Sequence, residues 1–130
     1  MWLPINLNEN SAEPMYHQIE VQLRALIISG QLENGTLLPS IRELAQMLKC
    51  SVITVRRVYQ DLEAEGLLRT RQGMGTFVAS VQEEDRDRHR TAAVVDAMES
   101  AIDAGLRVQL TRSEMEKVFQ QVMQDKWKET

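Results

Sequence analysis

At 130 residues, with 43% hydrophobic and 26% charged residues, the chain has room for one compact globular domain and a small appendage, which excludes two full-sized domains. A single cysteine, Cys50, excludes an internal disulfide and a cysteine-built metal cage. No run approaches the roughly 18 uninterrupted apolar residues that span a bilayer, and Met1 to Asn10 has no secretory-signal pattern, so a soluble cytoplasmic protein with no membrane partner is expected.

The net charge of −4 is unevenly spread. Residues 1–35 set Arg24 against Glu9, Glu13, Glu20 and Glu33, a balance of −3. Residues 36–80 set Arg42, Lys49, Arg56, Arg57, Arg69 and Arg71 against Glu43, Asp61, Glu63 and Glu65, a balance of +2. The remaining residues return to −3. Local field, more than total charge, steers a protein toward phosphates, so the middle third is where an anionic partner would bind.

After an extended start, Pro14 suits a first helical position, and Met15, Ile19, Leu23, Leu26 and Ile27 recur at helical spacing. A helix over 14–29 is predicted, stopped by Gly30, with Glu33-Asn34-Gly35-Thr36 as a turn. Ser40 and Glu43 fit a capping box that opens a second helix, whose buried face is Leu44, Ala45 and Leu48. Three residues later Ser51 caps a third helix, about 52–65, with Val55, Val58, Tyr59 and Leu62 as its stripe. Leu67–Arg71 and Thr76–Val81 flank Gly73-Met74-Gly75 and read as a two-stranded hairpin. Helix, helix, tight turn, helix, hairpin is the order of a winged helix-turn-helix.

Beyond Val81 a charged run, Gln82 to Arg88, is either a connector or an exposed first helical turn. Ala93, Val94, Ala97, Ala101 and Ile102 follow at helical spacing, with Gly105 expected to end that helix. Thr111 with Glu114 offers a capping box for a last helix, Ser113 with Glu116 a competing one. Met115, Val118, Phe119, Val122 and Met123 form its apolar face. The expected fold is mostly α with a small β-hairpin: a winged helix-turn-helix over 1–80, then a two-helix region over 81–130.

A recognition helix enters the major groove with its first turns nearest the base edges. Ser51, Val52, Ile53, Thr54, Arg56 and Arg57 occupy those turns. The hydroxyls can bond phosphates or bases, Val52 and Ile53 can touch thymine methyls, and Arg56 can grip guanine or phosphate. Packing of Val52 or Ile53 on the preceding helix is the plainer alternative. Arg42 suits a backbone phosphate, against an ion pair with Glu43 or Glu63. Arg69, Arg71 and Gln72 lead into a glycine tip that suits a minor-groove wall, although a tight β-turn explains the glycines equally well.

Four blocks, Leu38–Ala45, Thr54–Glu63, Glu65–Leu68 and Gly73–Val78, resemble the GntR family of bacterial regulators in order and spacing over about residues 13–79. Ile41, Tyr59 and the short tail resemble its YtrA-type subfamily. The resemblance implies a dimeric repressor on an inverted-repeat operator in double-stranded DNA. It puts DNA contacts at Ser40, Arg42, Ser51, Val52, Ile53, Thr54, Arg56, Gln72 and Gly73. Many relatives carry arginine or another polar residue where Val52 and Ile53 stand, so base preference does not transfer. Larger effector domains do not fit after Ser80; the subfamily instead uses two helices to form a homodimer. The expected interface is Val94, Ala97, Met98, Ala101, Met115, Val118, Phe119 and Val122.

No cofactor or metal is implied, and no enzyme activity is expected: His17 and His89 sit in no metal or nucleophile pattern, and no phosphate-binding glycine loop is present. Cys50, between the two central helices, suits a small half-buried side chain. A winged helix used only for protein contacts is the main rival, and it predicts no basic surface along the third helix. A small-molecule effector between the last two helices is compatible with DNA binding, although no polar cluster defines its pocket.

Overall fold

The structure, a computed structural model, describes residues 3–127; Trp2, to which the sequence attaches no role, lies outside them. In chain order the elements are α1 (Met15–Ile28), α2 (Ile41–Leu48), α3 (Val52–Ala64), β1 (Leu68–Arg71), β2 (Gly75–Val78), α4 (Glu83–Arg107) and α5 (Arg112–Lys126). The chain divides into two compact units, Met1–Asp87 and Arg88–Thr130.

In the first unit, the apolar residues that recur at helical spacing become the core. Ile19, Leu23 and Ile27 of α1, Leu44 of α2, and Val55, Val58 and Leu62 of α3 are fully buried. Leu67, Leu68 and Val78 of the hairpin complete the cluster. The order and winged architecture are those expected from the sequence.

Two features of this unit have no signature in the hydrophobic pattern. The first is a polar clamp on the N-terminal segment. Gln22 accepts from the Asn6 backbone N–H at 2.8 Å and donates to its carbonyl at 2.7 Å. One turn earlier, Gln18 accepts from the Asn8 N–H at 2.8 Å and donates to the Asn8 and Glu13 carbonyls at 3.0 and 2.9 Å. The two amides stand in for a neighbouring strand, which is why Gln18 is buried without penalty. The clamp holds Leu3 and Ile5 in the core.

The second is a third strand-like rung on the hairpin. Leu37 bridges Phe77, Leu38 N–H donates to the Thr76 carbonyl at 2.9 Å, and Val78 N–H donates to the Thr36 carbonyl at 2.9 Å. The segment around Gly35 and Thr36 is therefore more than a turn: it covers the edge of β2 and anchors the hairpin to the helices.

The charged run after Val81 is helical from Glu83 onward. Glu83, Glu84 and Asp85 occupy the first turn of α4, where carboxylates complement the helix dipole. The expectation that Gly105 ends this helix is corrected. Gly105 lies inside α4, buried, and the chain turns at Gln109, which takes the left-handed conformation at φ 61°. Any Cβ on Gly105 would collide with Met115 Sδ, so its glycine serves the close approach of α5 and not a helix stop. Of the two capping registers, Thr111 with Glu114 forms the box, while Glu116 pairs with Arg112 Nε at 3.2 Å.

Candidate nucleic-acid interface

Helix α2 begins at a reciprocal cap. Ser40 Oγ accepts from Glu43 N–H at 3.1 Å, and Glu43 Oε1 accepts from Ser40 N–H at 3.1 Å. These bonds favour the carboxylate and hold Glu43 below its ordinary range. At the other end Lys49 adopts φ 55° and ψ 46°, the left-handed geometry that lets the chain reverse in three residues. Cys50, half-buried in this turn, has its thiol pushed up by burial. Tyr59 of α3 then donates its buried hydroxyl to the Pro39 carbonyl at 2.6 Å, locking α3 against the entry to α2.

Ser51 caps α3 by accepting from Thr54 N–H at 3.1 Å, and the Ser51 and Thr54 hydroxyls lie 2.7 Å apart. Both predicted contact residues are thus partly committed to each other. The first turn of α3, like that of α1, holds no acidic side chain, whereas those of α2, α4 and α5 each hold one or more. A helix start kept free of carboxylates suits an approaching phosphate.

Val52 is 38% exposed and Ile53 76% exposed. The packing alternative therefore fails for Ile53, which stands in solvent. Arg56 is exposed and lies three residues on, so it shares a stripe with Ile53 and with Gln60, opposite the buried Val55, Val58 and Leu62. Gln60, for which the sequence alone suggests no contact, is exposed on this stripe. Its signal is the spacing from Ile53, and an amide there can reach adenine.

The three arginines of this region differ. Arg42 is exposed and, among the described residues, has no ion-pair partner: Glu43 is taken by its cap, and Glu63 accepts from Thr70 N–H at 3.3 Å and Thr70 Oγ1 at 3.2 Å. Arg56 is likewise unpaired among the described residues. Arg57 is not: its guanidinium lies 3.6 Å from the Tyr16 ring centroid and its Nε 3.8 Å from Asp61 Oδ2. The protein holds it toward α1, with its side chain still 57% exposed.

The hairpin pairs Arg69 with Phe77 and Arg71 with Gly75. Its tip closes through Met74 N–H to the Arg71 carbonyl at 3.0 Å, with Gly73 at φ 78° in the third position, where such a turn demands a positive φ. Arg69, Arg71, Gln72 and Gly73 are all exposed, Arg71 standing 5.8 Å from the Phe77 ring centroid. Lys49, also exposed, adds a cation at the turn between α2 and α3.

In the second unit the predicted interface residues lie on the two helices α4 and α5. Val94, Met98, Val118 and Val122 are about half exposed, Ala97 is exposed, and Ala101, Met115 and Phe119 are partly covered. Among the described residues of α4 and α5 only Gly105 is buried. No three His, Cys, Asp or Glu side chains among the described residues are placed to hold a metal ion, and no helix is long and apolar enough to cross a membrane.

The family model described as "Bacterial regulatory proteins, gntR family" matches residues 15–78. The HTH-type transcriptional repressor YtrA of Bacillus subtilis (strain 168) is 37% identical over 75 residues, 58% of this chain and 58% of that repressor, so the chain spans little more than half its length. YtrA from Sulfolobus acidocaldarius, described as a GntR-family transcription factor, superposes with a TM-score of 0.56 at 34% identity, covering 71% of this chain and 97% of that one. The DNA-binding domain of AraR in complex with operator ORE1 superposes with a TM-score of 0.50 at 34% identity, covering 57% of this chain and 90% of that one.

Proposed function

Since the chain belongs to the GntR family of bacterial regulatory proteins, in its YtrA-type branch, we propose that it is a transcriptional repressor that binds an inverted-repeat operator as a homodimer. Helix α3 enters the major groove and the β1–β2 hairpin lies at the minor groove. The observation that carries this reading is the solvent face of the helix-turn-helix. Arg42, Lys49 and Arg56 are exposed there, and no acid intrudes on the first turn of α3. Unpaired cations beside a carboxylate-free helix start make a complementary surface for phosphates, with Arg56 and Gln60 one turn further on to meet base edges.

The homodimer rests on a separate observation. Val94, Met98, Val118 and Val122 leave about half of each side chain in water, on a helix pair that buries no side chain of its own. Such a pair gains its stability by covering those stripes with a second copy. Doubling a weak half-site also raises affinity steeply through effective concentration. The protein in this reading is a binding protein and not an enzyme, acting in the cytoplasm on double-stranded DNA.

The test is repeated selection from a pool of random duplexes, with affinity then measured at two salt concentrations. An enriched inverted repeat whose affinity falls steeply as salt rises is the expected result, because each phosphate contact releases counterions. A pool that enriches nothing would overturn the reading in favour of a winged helix used for protein contacts.

A further inference from the structure

We infer that Ile53 reads the 5-methyl group of one thymine in each operator half-site, making it a specificity-determining residue; the inference rests on the DNA-binding function proposed above. At 76% exposed, Ile53 is the most exposed large hydrophobic side chain among the described residues. It contributes nothing to the core, and a β-branched residue there is a poorer helix former than alanine or glutamate. A side chain that neither packs nor favours its helix is explained by what covers it from outside.

The surroundings select the occupant. Along α3, Ile53 is flanked by Ser51, Thr54, Arg56 and Gln60, with the half-covered Val52 as the exposed apolar residue next to it in the helix. A protein partner seated by apolar burial needs a contiguous apolar patch, whereas the exposed face of α3 around Ile53 is otherwise polar and cationic: Arg56 and Gln60 share its stripe. One apolar group in a cationic, hydroxyl-bearing ring calls for a partner that offers an isolated methyl within an anionic surface. The major groove of DNA offers it at thymine. The neighbouring hydroxyls strengthen the case. Ser51 and Thr54 are tied to each other at 2.7 Å, and Ser51 also caps the helix. Their capacity for base edges is reduced, so discrimination in the first turn of α3 falls chiefly to Ile53, twice as exposed as Val52 beside it.

Uracil differs from thymine in DNA only by that methyl, so the test crosses protein and DNA substitutions. Each thymine of the selected operator is replaced in turn by deoxyuridine, symmetrically in both half-sites, and affinity is measured for the full chain and for Ile53→Ala. For the unsubstituted protein, one thymine position is expected to cost about fourfold per half-site, the value of one buried methyl. Ile53→Ala should bind the thymine and uracil operators alike. Its exposure and alanine's better helix propensity predict a melting temperature that is unchanged or slightly raised, which separates lost contact from lost fold. An enriched operator indifferent to uracil at every thymine would overturn this inference alone, as would an equal loss for both proteins. A pool that yields no operator would overturn the proposed function and this inference with it.

Discussion

An arginine that its own protein leaves unpaired has all five N–H donors to offer a phosphate or base, and Arg42, Arg56 and Arg57 divide on that point. Arg57 is held by Tyr16 and Asp61, whereas Arg42 and Arg56 face solvent without an ion pair among the described residues. Arg42, in the first turn of α2, suits a phosphate; Arg56, on the stripe of Ile53 and Gln60, suits a base edge. Arg42→Ala is therefore expected to weaken specific and random duplexes equally and to flatten the salt dependence by about one unit. Arg56→Ala is expected to cost about 1–3 kcal/mol on the operator and to relax base choice at one position. Titrations against operator and random DNA at several salt concentrations check both; an unchanged salt slope for the Arg42 variant would remove it from the interface.

Between elements, the seam of α1 and α3 holds an unusual concentration of charge. Arg24 of α1 grips Glu65 beyond the end of α3 through two bonds, at 2.9 and 2.8 Å. Beside it the buried Glu20 meets Asp61, which also pairs with Arg57. Burial first, and then the hydrogen bond and charge of Asp61, push the Glu20 carboxyl up to about 7, against the pull of Arg24. A carboxyl whose folded pKa is raised holds its proton more tightly in the native state than in the unfolded chain. Its contribution is thus fully present below about pH 4.5 and is lost as pH rises through about 7. Glu20→Gln should remove that slope and raise stability at pH 8 by about 1–3 kcal/mol, read from urea unfolding across pH 5 to 8. A slope unchanged by the substitution would show that Glu20 is ionised throughout. The seam of α4 and α5 carries a second test. Gly105→Ala gains helix propensity of roughly 1 kcal/mol but collides with Met115. The same change is expected to destabilise the natural chain and to stabilise a Met115→Ala background, a coupling that a double-mutant cycle resolves. Equal effects in both backgrounds would mean that Met115 simply swings aside.

At the scale of the whole molecule, the α4–α5 pair presents apolar stripes without a core beneath them, which is the physical basis for expecting a second copy. Val118→Asp with Val122→Asp should give a folded monomer by sedimentation, because neither side chain belongs to the buried core cluster. That monomer should bind the full operator far more weakly while retaining its contacts to one half-site; a variant that remained dimeric would place the interface elsewhere. Periodicity and capping chemistry were enough, in the sequence by itself, to determine the helices, the hairpin and the winged order, since those signals are local: Ser40 with Glu43, Ser51, and the stripe of Val55, Val58, Tyr59 and Leu62. The same local signals located the recognition helix and the exposed β-branched residues at its start. What only the tertiary structure decided depends on partners distant in the chain. Gln18 and Gln22 read as ordinary polar helix residues until the N-terminal segment lies against them. The Leu37 rung exists because β2 is beside it. Arg57 is turned toward α1 because Tyr16 stands 3.6 Å away. Gly105 resembles a helix stop in sequence and is a contact point in space, since a missing Cβ permits a turn and a close approach equally, and only the packed neighbour selects between them.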